Sequence, residues 1–248
     1  MKVNGQYTSA EIFAEHIEEA ALQWIELQCN HPSFKGIPIV QMPDVHSGNS
    51  CNVGTAYKIG AYVNPDHVGV DIGCSISMHK LSSLVASGDF ALLNHKIRDR
   101  IFAILKKLCK AKCVESIFTT HNYIDVCGEY PMLRKGAVKA EEGERLCLPF
   151  NMRDGIAICI GKGNAEWNCS APHGAGRIMS RNAAKKSIDM EDFERSMTGI
   201  FSTSVCPATL DESPQAYKPM DEILRLIEPT AEVVTMVKPR INIKDIRK

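Results

Sequence analysis

Short apolar runs that end in glycine, proline, asparagine or aspartate recur along this chain and constrain its fold most. The segment "GIPIVQMPDVHSGNS" predicts a short strand that ends in a turn-rich loop. The segment "NVGTAYKIGAYVNPDHVGVDIG" alternates similar β-like runs with Gly and Asn-Pro pairs, which are turn signals. Further along, "NMRDGIAICIGKGN" predicts a hairpin and "EVVTMVKP" a strand. Sheets joined by tight turns therefore make up much of the predicted fold.

Helical spacing occurs between these strands. Residues 9–28 predict a helix with Ser9 as its N-cap and an apolar stripe. The stripe consists of Phe13, Ile17, Ala20, Trp24 and Leu27. Residues 90–113 predict a second helix, whose Lys/Arg-rich face is more typical of a solvated surface than of a binding patch.

Further helices are predicted near the C-terminus. The segment "HGAGRIMSRNAAKK" predicts a loop that leads into a helix, and helical patches follow at residues 190–199 and 219–228. No tandem repeat or low-complexity linker divides the chain. The sequence thus predicts a mixed α/β fold class: a single domain over residues 1–248, with mixed sheets and surrounding helices.

The composition limits which cell compartment and which binding partners we expect for this chain. Of 248 residues, 44% are hydrophobic and 23% charged, and 29 basic residues balance 29 acidic ones, so any nucleic-acid binding must rest on a local patch. The N-terminal "MKVNGQYTSAEIF" does not resemble a signal peptide, and no apolar stretch approaches the ~20 residues of a membrane span. We therefore expect a cytoplasmic chain with no membrane partner.

The ten cysteines are expected to be mostly free thiols in a reducing compartment. Four of them are interpreted as small buried apolar side chains: Cys29, Cys51, Cys159 and Cys206. Cys109 and Cys113 form a CxxxC pair on the predicted helix at residues 90–113. No neighbouring histidine or second cysteine pair completes a zinc site there.

Three polar clusters lie in apolar or glycine-rich surroundings. Asp44 and His46 end a predicted strand in "MPDVHSGNS". Asp71 and Cys74 lie in "VGVDIGC", which is read as a strand running into a turn at Ile72-Gly73. Such a turn would bring a carboxylate and a thiolate onto one centre, as in a divalent-metal site, although D-x-x-C alone is more often structural.

The third cluster is "SAPHGAGRIMSR". His173 precedes a run of small residues whose backbone N–H groups can approach a ligand closely, and Arg177 adds a bidentate phosphate donor. We therefore interpret His173 as a phosphate-site histidine. Arg177, Arg181 and Lys185 recur four residues apart and form either a basic stripe or a solvated helix face. His121 is either a ligand or a core histidine.

Together these segments resemble the RtcB family of RNA-splicing ligases. The matching segments follow the family's order and span roughly residues 38–244. They are "MPDVHSG", "VGVDIGC", "HNYID", "LRKGAV", "NMRDG", "GKGN", "SAPHGAGRIMSR" and "DESPQAYKPMDEI".

The resemblance implies a manganese- and GTP-dependent RNA ligase. Its substrates would be an RNA 3′-phosphate or 2′,3′-cyclic phosphate end and a 5′-hydroxyl end. By position, His173 would attack the α-phosphate of GTP and become a histidine–GMP phosphoramidate. Asp71, Cys74 and His121 would bind Mn²⁺.

The resemblance also assigns residues around the nucleotide. The positions that match nucleotide-contacting segments are Asn122, Asn151, His173, Gly174, Ala175, Gly176, Tyr217 and Lys244. Tyr217 would stack on the base. Asp44 and His46 would support the site or contact RNA phosphate, and Arg177 would contact phosphate.

The chain also departs from the family pattern. The family's central region, with its GTLGxGNH and HSGSR-like motifs, is missing between about residues 81 and 115. The candidate histidines left near this gap are His79 and His95, and neither lies in a matching motif. "HSGNS" replaces a family lysine and glycine with Asn49 and Ser50, while His67 stands at a position that is commonly small or apolar. Two alternatives therefore stay open: a catalytically impaired nucleotide- or RNA-binding remnant, and a one-metal phosphohydrolase.

Overall fold

The computed structural model describes residues 1–81, 90–94, 107 and 112–244. Within these residues the chain forms four β-sheets and several short helices. The strands in chain order are β1 (Lys2–Asn4), β2 (Ser9–Ile12), β3 (Ile39–His46), β4 (Val53–Lys58), β5 (Ser75–Leu81), β6 (Phe90–Asn94), β7 (Cys113–Thr120), β8 (Asn122–Asp125), β9 (Met132–Lys135), β10 (Ala137–Lys139), β11 (Arg145–Pro149), β12 (Ile156–Gly161), β13 (Ser170–Pro172) and β14 (Ala231–Val237). The α-helices of the described chain are α1 (Glu19–Cys29), α2 (Arg181–Ser187), α3 (Met190–Ser196) and α4 (Met220–Leu226). This arrangement confirms the predicted mixed α/β class.

The largest sheet has six strands in the order β1-β2-β3-β4-β9-β8. Strands β2 and β3 are parallel, and the other neighbours are antiparallel. Three smaller sheets have the orders β6-β5-β7, β11-β12-β14 and β10-β13. In this arrangement the end of β3 and the end of β13 both reach the candidate site described below.

Two principal hydrophobic cores hold the fold. The first packs α1 against the six-stranded sheet through Ile25, Ile39 and Leu133, all fully buried. The second packs α4 against the β11-β12-β14 sheet through Leu146 and Ile223. Burying such side chains stabilises a fold by about 1.5–3 kcal/mol each.

A smaller core includes β3 and the 3-10 turn at Ala165–Trp167. Phe13 stacks on Trp167 there with ring centroids 3.9 Å apart, beside the buried side chains of Val40 and Met42 on β3. This packing fixes the middle of β3, the strand that carries Asp44 near its end.

The predicted helix over residues 9–28 is wrong in its first half. Residues Ser9–Ile12 form β2, which pairs with both β1 and β3, and α1 begins only at Glu19 with Glu18 as its N-cap residue. Sheet pairing on both sides therefore overrides the local helical spacing.

The predicted apolar stripe of this segment is also wrong in phase. The buried side of α1 carries Ala21, Ile25, Gln28 and Cys29, whereas Leu27 is 61% exposed. Residues 21, 25 and 29 are four apart, which places them on one helix face.

The predicted helix over residues 90–113 is contradicted at both ends. Phe90–Asn94 forms β6 and pairs with β5, and Cys113 begins β7. The rest of that segment, including His95 and Cys109, lies outside the described residues apart from Lys107 and Lys112. The CxxxC pair therefore does not lie on one continuous helix, because its second cysteine is in a strand.

Several predictions for the second half of the chain are confirmed. The segment "NMRDGIAICIGKGN" contains the turn and the second strand of the β11–β12 hairpin, the late helices are α3 and α4, and "EVVTMVKP" contains β14. Every cysteine that the structure describes is a free thiol, and Cys29, Cys51 and Cys159 are buried as expected. The predicted burial of Cys206 is wrong, because this side chain is partly exposed. Among the described helices, none combines the length and apolar character that crossing a membrane requires.

The corrected face of α1 yields a stability prediction. Ile25→Ala should lower the free energy of unfolding by about 2–5 kcal/mol, because it opens a cavity in a core where Ile25 is 0% exposed. Leu27→Ala should change it by less than about 0.5 kcal/mol, because that side chain is largely exposed. Urea unfolding followed by circular dichroism measures both, and equal losses would contradict the observed helix phase.

Candidate histidine-centred active site

The candidate site is built around His173, which directly follows the short strand β13. The His173 Nδ1 lies 2.6 Å from Asp44 Oδ2 and 2.8 Å from the Gly136 carbonyl oxygen. Both partners are acceptors, so Nδ1 carries the hydrogen and donates it. In the neutral ring the lone pair is therefore on Nε2, the nitrogen that is chemically able to act as a nucleophile.

The charge of Asp44 controls the protonation of His173. Asp44 is 0% exposed, and its Oδ2 also accepts from the His173 backbone N–H at 3.3 Å. Burial alone lowers the pKa of His173, but the hydrogen bond and charge of Asp44, together with the Gly136 carbonyl, raise it above the ordinary value.

The side chain of Lys218 binds backbone carbonyl groups at the end of β3. Its Nζ donates to the Pro43 carbonyl at 2.6 Å and to the Val45 carbonyl at 3.2 Å, the residues on either side of Asp44. Lys218 is 4% exposed. Burial lowers its pKa, and the nearby Asp44 carboxylate opposes that change. Lys218 thus holds the backbone on either side of Asp44 and adds positive charge near the buried carboxylate.

A glycine allows the loop after His173 to reach the same strand. Gly176 has φ +71°, and a Cβ there would overlap the Asp44 carbonyl oxygen. Only glycine combines this left-handed backbone with such a close approach. The Ala175 N–H donates to the Pro149 carbonyl at 3.2 Å, and the Gly176 carbonyl accepts from the Lys218 N–H at 3.0 Å. These backbone groups therefore hold the loop in place.

The segment "VGVDIGC" is a turn and not the end of a strand. A 3-10 turn covers Pro65–His67, and β5 begins only at Ser75, after Cys74. Gly69 and Gly73 have φ values of +99° and +74°, which a strand does not contain. The predicted strand is therefore wrong, whereas the predicted turn is present, with Cys74 N–H donating to the Asp71 carbonyl at 3.1 Å.

This turn is joined to His173 through the start of β8. The His121 N–H donates to the Cys74 carbonyl at 3.0 Å, and the Asn122 Nδ2 donates to the Asp71 carbonyl at 3.2 Å. The Asn122 Oδ1 accepts from the Gly136 N–H at 2.9 Å, and Gly136 in turn contacts His173. The side chain of Asn122 thus links the turn to the loop that holds His173.

His121 lies beside His173 with its ring in a buried environment. The two ring centroids are 4.8 Å apart, and His121 Nδ1 is buried without a hydrogen-bond partner in the described part of the chain. Burial and the charge of His173 lower the pKa of His121 to about 3, and Asp71 opposes this only partly. His121 is therefore neutral near pH 7, the form of imidazole that binds metal ions.

The predicted metal ligands are close along the backbone, but they do not form a complete site. Within residues 1–81 and 112–244, no three His, Cys, Asp or Glu side chains are grouped so that they could hold a metal ion. The set of carboxylate, thiolate and imidazole is chemically suited to a divalent metal. Of Asp71, Cys74 and His121, the histidine offers an unpartnered buried donor atom.

His46 is turned back onto its own strand. Its Nδ1 lies 2.8 Å from the Asp44 carbonyl oxygen. Burial lowers the pKa of His46, and the charges of His173 and Lys218 contribute to the lowering, whereas Asp44 opposes it. His46 thus belongs to the surroundings of the Asp44–His173 pair.

A second group of side chains surrounds Glu212, and we call it the Glu212 cluster: Arg177, Arg181, Tyr217 and Lys244. The Tyr217 hydroxyl and Lys244 Nζ donate to Glu212 Oε2 at 2.8 and 3.0 Å, and Arg177 lies 3.0 Å from Oε1. Arg181 also pairs with Glu212. Burial raises the pKa of Glu212, but Lys244, Arg181 and Tyr217 more than offset this and hold it at about 2.

This cluster corrects the predicted basic stripe. Arg177 precedes α2, which begins at Arg181, so the three basic residues do not share one helix. Arg181 lies 2.6 Å and Lys185 3.5 Å from the Asp211 carboxylate. Their positive charges are therefore matched by acidic partners.

The Glu212 cluster and His173 are joined by the "HGAGR" segment. Arg177 forms a β-bridge with Tyr217, its guanidinium lies 4.8 Å from the Tyr217 ring centroid, and the Ile178 N–H donates to the Ala216 carbonyl at 3.0 Å. His173 and Arg177 therefore lie at the two ends of one short loop.

Asn151 is used within its own hairpin loop. Its Oδ1 accepts from the Arg153 and Asp154 N–H groups at 3.0 and 2.9 Å, and its Nδ2 donates to Asp154 Oδ2 at 2.7 Å. The structure thus gives its side chain a turn-forming role and does not link it to His173 by hydrogen bonds.

Three residues of the site were not identified from the sequence: Gly136, Lys218 and Glu212. Each lies in a segment that carries the family resemblance, "LRKGAV" or "DESPQAYKPMDEI". Gly136 contributes a carbonyl oxygen, Lys218 a buried ammonium group, and Glu212 a carboxylate that binds several basic side chains. Residue type and spacing alone give no signal for such roles.

Comparison with known proteins supports the resemblance. The family model described as "tRNA-splicing ligase RtcB" matches residues 81–245, which is more than half of the chain. The chain is 35% identical to the RNA-splicing ligase RtcB of Escherichia coli (strain K12) over 135 residues, covering 53% of this chain and 33% of that protein.

Archaeal relatives match as well. The chain is 35% identical over 116 residues to the tRNA-splicing ligase RtcB of Methanopyrus kandleri, covering 38% of this chain and 12% of the relative. It is 24% identical over 199 residues to that of Nanoarchaeum equitans, covering 66% and 42%. The chain thus spans about a third of the E. coli relative's length and less than half of the others'.

The buried His121 should make folding sensitive to acid. A histidine whose folded pKa is lowered to about 3 contributes stability that is present above its unfolded pKa of about 6.5 and is lost as the pH falls toward 3. We expect the loss attributable to His121 between pH 7 and pH 4 to be on the order of 3 kcal/mol. Urea unfolding at intervals between pH 7 and pH 4 measures it.

His121→Gln should make this pH dependence shallower, because it removes the titrating group. His16→Gln, at an exposed position, is the matched control. If both variants and the wild-type chain lose stability in parallel, the assignment of the acid sensitivity to His121 is wrong.

Asp44→Asn should lower the pKa of His173. The change keeps the shape of the side chain but removes the negative charge that raises this pKa, so we expect the pKa to decrease. Histidine-selective NMR titration measures it directly. Asp66→Asn, on an exposed turn, is the control, and a His173 pKa equal in wild type and Asp44→Asn would contradict the proposed control by Asp44.

Proposed function

The chain belongs to the RtcB tRNA-splicing ligase family, and on that premise we propose that it joins RNA ends through a nucleotide carried on His173. The proposed activity is a GTP- and manganese-dependent RNA ligase. It joins an RNA 3′-phosphate, or a 2′,3′-cyclic phosphate opened first by water, to a 5′-hydroxyl end. The observation that carries the proposal is the orientation of His173, whose Nδ1 is bound by Asp44 and Gly136.

In the first proposed step, His173 Nε2 attacks the α-phosphorus of GTP. A nitrogen–phosphorus bond forms, the bond between the α-phosphorus and the bridging oxygen breaks, and pyrophosphate leaves. The ring gains positive charge as this bond forms, and the buried Asp44 carboxylate is placed to stabilise it. The proton on Nδ1 stays between the ring and Asp44.

In the later proposed steps, GMP passes from His173 to the RNA 3′-phosphate. An oxygen of that phosphate attacks the phosphorus on Nε2, and the nitrogen–phosphorus bond breaks. The RNA 5′-hydroxyl then attacks the activated 3′-phosphate, and GMP leaves. Asp44 has the same role throughout: it holds the ring in one tautomer and one orientation.

We propose that the Glu212 cluster lies toward the nucleotide. Tyr217, Arg177 and Lys244 are brought together there at the other end of the "HGAGR" loop from His173. Gly174, Ala175 and Gly176 form the backbone between them, and Asn122 and Asn151 are proposed to contact the nucleotide from neighbouring loops. The convergence of Tyr217 and Lys244 on one carboxylate supports their assignment to a common site.

We propose Mn²⁺ as the metal, with Asp71, Cys74 and His121 as candidate ligands. The buried, unpartnered Nδ1 of His121 beside His173 supports the histidine in particular. A divalent cation supplies charge neutralisation of phosphate oxygens when bound. Since the described residues do not gather three such side chains, a complete site requires further ligands or a rearranged turn.

We also propose which RNA ends the chain acts on and in which cell compartment it works. Its partners are RNA with 3′-phosphate or 2′,3′-cyclic phosphate ends, RNA with 5′-hydroxyl ends, and GTP. We propose a cytoplasmic location, which the free state of the described thiols supports.

A second candidate is a nucleotide- or RNA-binding relative with impaired catalysis. The chain spans only about a third of the E. coli ligase, and its predicted metal ligands do not form a complete set within the described residues. The Asp44–His173 pair would then be retained for nucleotide binding.

Covalent labelling distinguishes the two functions. Incubation with α-labelled GTP and Mn²⁺ should transfer label to the wild-type chain in an acid-labile form. His173→Ala should abolish the labelling, because Nε2 of His173 is the proposed site of the nitrogen–phosphorus bond. Asp44→Asn should slow labelling by about ten- to a hundred-fold, since it removes the negative charge that stabilises the ring as the nitrogen–phosphorus bond forms. Quenched samples separated by gel electrophoresis measure the rate.

The exposed His16→Ala change is the matched control and should leave labelling unchanged. Absence of label at every Mn²⁺ concentration would reject ligase catalysis and favour the binding protein. Label without joining of RNA ends would restrict the activity to the first step. Release of phosphate from RNA ends without label would indicate a phosphohydrolase.

A further inference from the structure

A cavity of about 360 Å³ lies between α1 and the segment at residues 62–67, and it contains none of the residues assigned to the ligase site. Its size falls in the range of small-molecule sites. Its mouth includes Leu27, Tyr62 and Val63, which are 61%, 71% and 47% exposed. The cavity is therefore open to solvent at an apolar rim.

The walls of the cavity are aromatic and held in fixed orientation. Phe34 meets Tyr57 edge-on at 5.1 Å between centroids and stacks on His67 at 5.9 Å. The Tyr57 hydroxyl lies 3.0 Å from His67 Nδ1. Trp24 and Tyr62 add two further aromatic faces to the lining. Such walls suit a flat ring that stacks.

One side chain in the lining has unused hydrogen-bonding capacity. Gln28 is 4% exposed, and both its Nε2 and its Oε1 are buried without a hydrogen-bond partner among the described residues. Burial raises the pKa of the nearby Cys51 thiol, and the charge of Lys135 and a side-chain hydrogen bond from Gln28 oppose this. A thiol is only a weak hydrogen-bond partner, so the amide keeps unused capacity. An unpaired buried amide costs free energy unless a ligand satisfies it.

Among the described residues, the lining contains no lysine, arginine, aspartate or glutamate. Burial and the nearby Lys135 lower the pKa of His67, although Asp66 opposes this, so that ring is neutral near pH 7. A neutral occupant is therefore favoured over an ion. The Gln28 amide places a donor next to an acceptor, so the matching ligand edge carries an acceptor next to a donor.

We propose that this cavity binds a nucleobase, which stacks between the aromatic side chains and pairs its edge with the Gln28 amide. Nucleobases are neutral and planar, and their edges carry adjacent donors and acceptors that glutamine recognises. Proteins that bind single-stranded RNA hold splayed bases by this combination of stacking and edge pairing. The source of the base is an unpaired position of an RNA strand, an assignment that rests on the proposed function.

The cavity is connected to the candidate active site through the chain itself. His67 forms part of its wall and leads directly into the turn that contains Asp71 and Cys74. The wall of the cavity and this turn therefore belong to one continuous segment of the chain.

The two tryptophans allow a direct test. Trp24 lines the cavity, whereas Trp167 stacks on Phe13 in another core, so their indole N–H signals report on separate places. In a ¹⁵N-labelled chain without GTP or metal, titration with the four ribonucleosides should shift the Trp24 signal saturably and leave Trp167 unmoved. Gln28→Met should raise the dissociation constant about tenfold, or about 1.4 kcal/mol.

Tyr62→Ala provides a second variant at a largely exposed position, and it should weaken binding several-fold through lost stacking without affecting the fold. An unmoved Trp167 signal in each variant shows that the chain is folded. No shift of Trp24 with any nucleoside at millimolar concentration would overturn the proposal. Equal binding by wild type and Gln28→Met would overturn recognition by the amide.

A short single-stranded RNA made of the best-binding base identifies the source. It should shift the Trp24 signal, and the same strand annealed to its complement should not. A response to the free nucleoside but not to the single strand would overturn the RNA assignment. Because these titrations involve neither GTP nor ligation, failure of covalent labelling at His173 leaves their outcome unaffected.

Discussion

The hydrogen bond between the buried Asp44 carboxylate and the ring of His173 is the interaction on which the rest of the site depends. A fully buried carboxylate costs several kcal/mol unless charges and hydrogen bonds compensate it. Here the compensation comes from the ring of His173 and, nearby, from the ammonium group of Lys218, while Gly136 accepts from the same ring nitrogen. Those residues come from four distant parts of the chain. Folding must therefore bring them together, and the arrangement that stabilises Asp44 also leaves the lone pair of the neutral His173 ring on Nε2.

The segment that follows His173 connects the Asp44–His173 pair to the Glu212 cluster. It pairs with residues 216–218, so that Arg177 meets Tyr217 and Glu212 while Gly176 meets the strand that carries Asp44. The basic side chains of Arg177, Arg181 and Lys244 each pair with Glu212 there. Helix α2 does not present a single positively charged face to a polyanion such as RNA, because Arg181 is already paired with Asp211 and Glu212.

Local pattern predicted the strands well where an apolar run is bounded by turn residues, as in β3, β12 and β14. It failed at residues 9–12, where two pairing strands override helical spacing, and at Phe90–Asn94, which pairs with β5. It also failed at residues 68–70, because the left-handed backbone of Gly69 is a property of the folded chain. Of the candidate site residues, His173, Asp44 and His121 lie together, whereas Asn151 is occupied in its own loop.

The sequence by itself determined the fold class, the family and the residue types able to do chemistry, because these depend on apolar spacing, turn residues and motifs that are local along the chain. Only the tertiary structure decided which nitrogen of His173 is held, that Lys218 and Gly136 take part, and that the Gln28 amide lies unpaired in an aromatic cavity. The physical reason is that hydrogen bonds and desolvation act between neighbours in space. Asp44 and His173 are 129 residues apart in the chain, and nothing local to either one encodes the other.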